Sequence, residues 1–440
     1  AANGDYASQS LTGLSIPAGQ LSASFTVQVN GDTTEEPNET FFVNLTNVTG
    51  ATVTDGQGTG TINNDDDACA SLLFPYTLGS DAPAELIQAI ECANANGAGS
   101  DTIDLDGRTI VLTASHATEL GSNIGLPQIT TAMVIQNGTI TRSSAEVFRH
   151  FLNTGDLTLN DVTLSNGDAQ SDGGAIFNFG TSTLTLNRCR LLGNSGNYGG
   201  AIFVPTGGLA VINNSLLAGN RATAPGGAIR TRGALQLNNS TVAGNFTSAG
   251  TEGGGGIASN GGSILLNNTI VAGNEASNFP ATNEISGAFT SNSSLVGGSP
   301  GFVAALDASD NAPTTAGNYR LAPFSTAIDA GDNGLVPGGM THDVDGLPRI
   351  VDDADVADAG TGTAPIVDLG AHERQTGSQP LADLAISLSD GQSTTYAGFP
   401  IEYTLTASNA GPDDVSSVMV SAPFTTGLSN ISWTCVAAGG

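Results

Sequence analysis

Between residues 101 and 290 the apolar positions alternate with polar ones in short runs that never settle into helical spacing. "TLTLN" (183–187), "LAVIN" (209–213), "ALQLN" (234–238) and "SILLN" (263–267) each end in an asparagine. A period of two over five residues marks a half-buried strand. A Gly-Gly pair precedes each run, at 173, 199, 226 and 254, and a Gly-Asn follows it. From the inner asparagine (Asn187, Asn213, Asn238, Asn267) to the outer one (Asn194, Asn220, Asn245, Asn274) is always seven residues. The drift in repeat length, from 25 to 29 residues, falls between the Gly-Gly pair and the inner asparagine. One part of each repeat is therefore stacked in register while a loop varies elsewhere.

A repeat of this length holds about three short strands and three turns, one coil of a parallel β-helix. Leucine-rich repeats overlap in length, but their asparagine sits in an LxxLxLxxN frame, and here the frame is LxLN. Coils would rise about 4.8 Å each, with strands pairing in parallel. Leu184/Leu186, Leu235/Leu237 and Ile264/Leu266 would stack as inward columns. The inner asparagines Asn187, Asn213, Asn238 and Asn267 are expected to take left-handed turns and to hydrogen-bond along the axis. Parallel crossovers make the expected hand right-handed. Weaker rungs precede these at 133–140 and 157–167.

Elsewhere the pattern changes. In "DAPAELIQAIECAN" (81–94), Leu86, Ile90, Ala89 and Ala93 share one helical face. Asp81 reads as the N-cap, Pro83 suits the first turn, and Asn96-Gly97 stops the helix. Such a helix would cover the apolar end of a solenoid. Residues 21–29, 40–48 and 58–63 read as strands of an antiparallel sandwich, and 384–388, 401–409 and 416–422 as strands of another. The fold class is thus all-β: a right-handed parallel β-helix with an N-terminal capping helix, flanked by two partial β-sandwich domains. The expected division is 1–67, 68–375, a linker at 376–381, and 382–440.

Composition narrows the partners. The chain has 41 acids against 11 bases, all arginine, for a net charge of −30. Phosphate backbones would be repelled, so no nucleic-acid partner is expected. No stretch approaches the ~20 apolar residues of a membrane span. The acids suit a calcium-rich exterior or serve as a solvated surface. Cys69 and Cys92 bracket one short segment and are candidates for a disulfide, which would fit an oxidising compartment.

Three family resemblances rest on particular residues. "GDYAS…IPAG…VNGDTTEEPNETFFVNLTNVTGATVTDGQGTGTINNDD" (4–66) resembles a Calx-beta domain whose opening strands precede residue 1. That resemblance implies a calcium site at Asp5, Asp32, Glu36, Glu39, Asp65 and Asp66; solvent-facing turn acids are the alternative. Residues 68–375 resemble the bacterial choice-of-anchor Q group within the pectin-lyase-like fold, through "LIQAIECANANGAGSDTIDL", the GGAI coils and "STAIDAGD…DVDGLPR…VDLGAHE". Residues 382–424 resemble an Ig-like repeat of bacterial surface proteins, with Asn409–Pro412 as its N-x-GP motif. Together they imply a middle segment of a longer exported protein, secreted or displayed at the bacterial surface.

Catalysis in such a solenoid would need adjacent carboxylates on neighbouring coils, with a base for lyases. The clear coils offer Arg188, Arg190, Arg221, Arg230, Arg232 and one acid, Glu252. Arg190, Arg230 and Arg232 are expected on one groove, as solvated charges that protect strand edges. Asp156, Asp161, Asp168 and Asp172 sit among Asn and Gly turns. "DVDGLPRIVDDAD" (343–355) fails the EF-hand frame, with Leu347 at a ligand position and no closing glutamate, and reads as a solvated loop. The four histidines have no metal or triad spacing. The expected function is therefore a non-catalytic surface module, structural or adhesive, with glycans or cell-surface components and the other domains of the same chain as partners. A polysaccharide lyase or glycoside hydrolase working in a groove is the alternative.

Overall fold

The computed structural model describes residues 8–29, 38–62, 69, 72–97, 99–249, 253–277, 284–323, 325–375, 384–389 and 403–409. The chain divides into two compact units, 1–374 and 375–440. The body of the first is a right-handed parallel β-solenoid of about 8 turns. No helix among the described residues is long and apolar enough to cross a membrane.

Each clear coil carries four strand segments, not three. In the coil that opens at Gly199 these are Ile202–Val204, Leu209–Asn213, Leu216–Ala218 and Arg221–Ala222. The fourth is two residues long, too short for any periodicity to announce it. Between coils the register is residue for residue. Leu184, Ala210, Leu235 and Ile264 form one column, and Leu186, Ile212, Leu237 and Leu266 the next. All eight are buried. Each Leu or Ile so placed contributes roughly 1.5–3 kcal/mol over leaving it in water.

The paired asparagines at the corner divide their work. Asn187, Asn213, Asn238 and Asn267 close the second strand, and each side-chain amide donates to the carbonyl of the asparagine one coil earlier, at 2.7–2.8 Å. Asn160 and Asn292 extend this ladder at either end. The left-handed position belongs to the next residue, correcting the expectation that the ladder asparagines turn: Asn214, Asn239 and Asn268 have φ of +46, +45 and +49°. One residue cannot both continue the strand ladder and reverse the backbone.

The Gly-Asn corner builds a second ladder that is fully buried, from Asn194 through Asn220 and Asn245 to Asn274. Here each amide donates forward to the next coil, at 2.7–3.0 Å, opposite in sense to the first ladder. Glu284 ends it, its carboxylate accepting from Gly273 N, Asn274 N and Asn274 Nδ2. Glu284 thus stands in for a further asparagine and supplies the acceptor that the buried Asn274 N–H would otherwise lack.

The cap is the helix Pro83–Ala95, which buries Leu86, Ala89, Ile90, Cys92 and Ala93. Its N-cap is Ala82, not Asp81, and it lacks a side-chain cap bond. Glu85 reaches back to Gly79 N, Ser80 N and Ser80 Oγ instead, which leaves Asp81 facing Arg108 at 3.4 Å. Cys69 is disulfide-bonded to Cys92 on this helix, with Cα atoms 5.2 Å apart.

Residues 300–323 and 325–374 lie along the flank of the solenoid, over the outer side of the third strands. Leu216, Ala218 and Ala243 pack against Tyr319, Val344 and Ala371, and Ile270 and Ala272 against Leu321, Ala327, Ile328 and Leu369. The left-handed corners grip this strap: Asn214 Nδ2 donates to His342 O, and Asn268 exchanges bonds with Asp332 N and O. Strands 216–218, 241–243 and 270–272 are therefore buried on both faces.

In the N-terminal region Glu39–Asn44 pairs antiparallel with Gln57–Ile62. Residues 21–28 form no strand, against expectation; Leu21 is wholly exposed and Phe25 43% exposed, so among the described residues alternation there meets no covering layer. In the second unit Leu384–Ser389 pairs antiparallel with Thr404–Asn409. The expected strand at 416–422 lies outside the described residues.

Candidate functional site

Of the six acids in the calcium set, Asp5, Asp32, Glu36, Asp65 and Asp66 lie outside the described residues. Glu39 opens the strand Glu39–Asn44, opposite Ile62.

The arginines expected on one groove are on two. Arg190, on the third strand of its coil, donates to Asp345 of the strap at 2.6 Å, where Arg320 also binds at 2.8 Å. Arg230 is the middle residue of the first strand of theirs, Ile229–Thr231, and Arg232 follows it. The four aspartates are also dispersed. Asp156 accepts from Thr183 N, Asp161 holds Arg188 in a two-pronged pair at 2.7 and 2.5 Å, and Asp168 faces Arg142 at 3.5 Å. Only Asp172 comes to Arg230 and Arg232.

What gathers there is an aromatic and cationic patch on the outer side of the first strands. The parallel register puts Phe177, Phe203 and Arg230 in one outward column. Phe177 lies 5.5 Å from Phe179 and 5.2 Å from Phe203, with Tyr198 6.5 Å from Phe203. Arg149 sits 5.1 Å over Phe177, Arg230 5.5 Å over Tyr198 and Arg232 5.9 Å over Phe203. Arg149 and Arg230 are buried and Arg149 donates to Ser171 Oγ. Phe179 and Arg232 are exposed, and Phe177, Tyr198 and Asp172 are half-buried. Burial brings Arg149 down to about 10, with Asp172 opposing the shift, and raises the Asp172 carboxyl despite its three arginine neighbours. Glu252 lies outside the described residues. The sequence missed this patch because its aromatics lie in different coils, at 177, 198 and 203, with nothing local to relate them.

Along the ladder of Asn160 and Asn187 runs a polar cleft of about 480 Å³, floored by these two with Asp161 and Arg188 and walled by Gly338, Gly339 and Met340 of the strap. Its charges are already matched in the Arg188–Asp161 pair.

The stretch 343–355, expected to be a solvated loop, is partly interior. Asp343, Arg349 and Asp353 are buried. Asp343 accepts from Asp345 N, Leu347 N and Glu373 N, and Arg349 donates to Ala371 O at 3.0 Å. Asp368 and Glu373 are buried beside each other; burial pushes Glu373 up to about 7 against the pull of Arg349, and burial with Glu373 raises Asp368. Asp329 nearby is pushed up to about 6 by burial, with Asp358, Asp352 and Asp353 adding to the rise. Burial holds His372, beside Asp345, down to about 3. "DLGAHER" and "DVDGLPR" are thus joined by their charged residues, though 19–30 positions apart.

No protein-family model matches the chain, and neither the curated proteins nor the solved structures include a match to it.

Proposed function

We propose that the solenoid is a non-catalytic spacer and adhesive module of an exported bacterial surface protein, and that it binds an acidic glycan at the aromatic–arginine patch. The observation that carries this reading is the convergence of Phe177, Phe179, Tyr198 and Phe203 with Arg149, Arg230 and Arg232. Sugar rings present apolar faces that pack on aromatic rings. Guanidinium groups pair with carboxylate or sulfate through paired donors. The Calx-beta, choice-of-anchor Q and Ig-like resemblances support the surface setting and the calcium site of 1–67.

Titrating the chain with polygalacturonate, a sulfated glycan and a neutral glucan tests it. Binding of an acidic polymer that Arg232→Ala and Phe179→Ala each weaken at least tenfold is the expected result. Absence of binding to any acidic glycan rejects it.

The alternative is a polysaccharide lyase or glycoside hydrolase. Arg149, brought down to about 10 beside Asp172, favours it, since a lyase needs a base. The full burial of Arg149 and the lone carboxylate among the described residues of the patch weigh against it. Release of unsaturated uronates or new reducing ends would decide for the enzyme.

A further inference from the structure

We propose that Asp329, Asp352 and Asp358 form a binding site for a hard divalent cation, Ca²⁺, which ties the 350–360 loop to the turn at Asp329. One carboxylate oxygen from each lies within 4.8 Å of those of the other two. Calcium–oxygen distances are about 2.3–2.6 Å, so oxygens that share one ion stand up to about 5 Å apart. The donors are all carboxylate oxygens, which selects a hard cation over zinc or copper. Magnesium needs a tighter octahedron, at about 2.0–2.1 Å. Asp352 and Asp358 are exposed, which leaves room for water to complete six to eight ligands.

Asp329 separates this group from ordinary surface acids. It is fully buried, and its Oδ1 lacks any hydrogen-bond partner. Everything else about the residue is engaged: its N donates to Asp368 Oδ1 at 2.7 Å, its O accepts from Ala359 N and Gly360 N at 2.9 Å, and its Oδ2 accepts from Asp353 N at 3.3 Å. A buried acceptor left without a donor is costly, the more so when charged. The adjacent acids are already committed. Asp353 binds Arg374 Nε at 2.5 Å, and Asp368 accepts from Asp329 N and Arg374 N. Among the described residues no arginine pairs with Asp329, Asp352 or Asp358. Three carboxylates thus converge with no arginine partner among the described residues, and the buried one of them carries an oxygen that the protein leaves unmatched. A cation there supplies the missing charge. It also joins the loop to Ile328, which packs on Ile270 and Ala272 of the solenoid. The site shares no residue with the acid set of 1–67 or with the glycan patch.

The test is calorimetric titration of CaCl₂ into the full chain, stripped with EGTA and desalted, beside the Asp352→Asn/Asp358→Asn variant. Both substitutions are at exposed positions and isosteric, and far-UV circular dichroism checks that the variant folds. A calcium step in the parent chain that the variant loses, or binds at least tenfold more weakly, is expected. Amides of 350–360 should gain exchange protection on adding calcium to the parent chain alone. Calcium bound by the acids of 1–67 would appear equally in both proteins, so the difference isolates this site. Identical isotherms and identical exchange overturn the proposal, and equal protection by MgCl₂ overturns the choice of ion. Should the double variant misfold, Asp358→Asn alone is judged by the same two readouts.

Discussion

Two asparagine ladders run along this solenoid, and burial predicts that they differ in worth. Asn220, in the Gly-Asn ladder, is fully buried. Its Oδ1 accepts from Asn194 N at 2.9 Å and Asn194 Nδ2 at 3.0 Å, and its Nδ2 donates to Leu191 O and Asn245 Oδ1. In Asn220→Ala, Asn194 keeps its bond to Leu164 O, but its backbone N–H and the other Nδ2 hydrogen both lose the Oδ1 of Asn220 as acceptor. Two buried N–H groups without acceptors, at about 1–3 kcal/mol each, give a loss of ~2–6 kcal/mol. Asn187, in the ladder at the ends of the second strands, makes two side-chain bonds, to Asn160 and from Asn213. It borders the open cleft, so water replaces the lost partners and Asn187→Ala should cost about 1 kcal/mol or less. Stacked coils can open locally. Urea unfolding should therefore be read together with amide exchange at Asn194 and Arg221, next to the substitution. If Asn187→Ala destabilises as much as Asn220→Ala, burial is not what sets the value of a ladder and the reasoning fails.

Three further outcomes follow from particular groups. Burial holds His150 and His372 down to about 3. Their neutral forms stabilise the fold fully above the unfolded value of about 6.5, and that contribution is lost as pH falls from there toward 3, at about 1.4 kcal/mol per pH unit for each. Glu373, at about 7, works in the opposite sense and favours the fold as pH falls from 7 toward its unfolded value. Urea stability of His150→Phe should fall less steeply than that of the parent between pH 6.5 and 4; equal slopes would contradict the assignment. Gly219 has φ +61° and a Cβ there would meet Thr314 O at 2.1 Å. Gly219→Ala should therefore loosen the strap by about 1–3 kcal/mol and speed exchange at Thr314 N, which donates to Gly219 O. Gly261→Ala, also at positive φ but facing open space, should leave that amide unchanged. Burial pushes the Cys189 thiol up to about 12, so a thiol-specific disulfide reagent should not label it in the native chain and should label it after unfolding.

Much of the solenoid is written locally, because its register depends on residues seven apart and its columns on alternation. Leu184 and Leu186 point inward for reasons visible within five residues, and Asn187 ends their strand where the next residue must turn. The coil, its period and its hand follow from that pattern together with the chirality of the chain. The helix 83–95 follows from the same kind of evidence, although its cap shifts by one residue because Glu85 folds back on Ser80.

Other features depend on distances that a linear pattern does not carry. The strap lies along the flank because Asn214 and Asn268, having turned the corner, leave their side chains free to bind His342 and Asp332 more than 60 residues away. The aromatic patch exists because one coil's outward column continues into the next, so that Phe177, Phe203 and Arg230 become neighbours. Asp329 meets Asp352 and Asp358 only once the loop after Arg349 has folded back over the turn. Alternation and corner residues are short-range quantities, and so the amino-acid order alone determined the coil. Which charges are buried, and which of them find partners, is set by packing between segments far apart in the chain, and only the tertiary structure decided it.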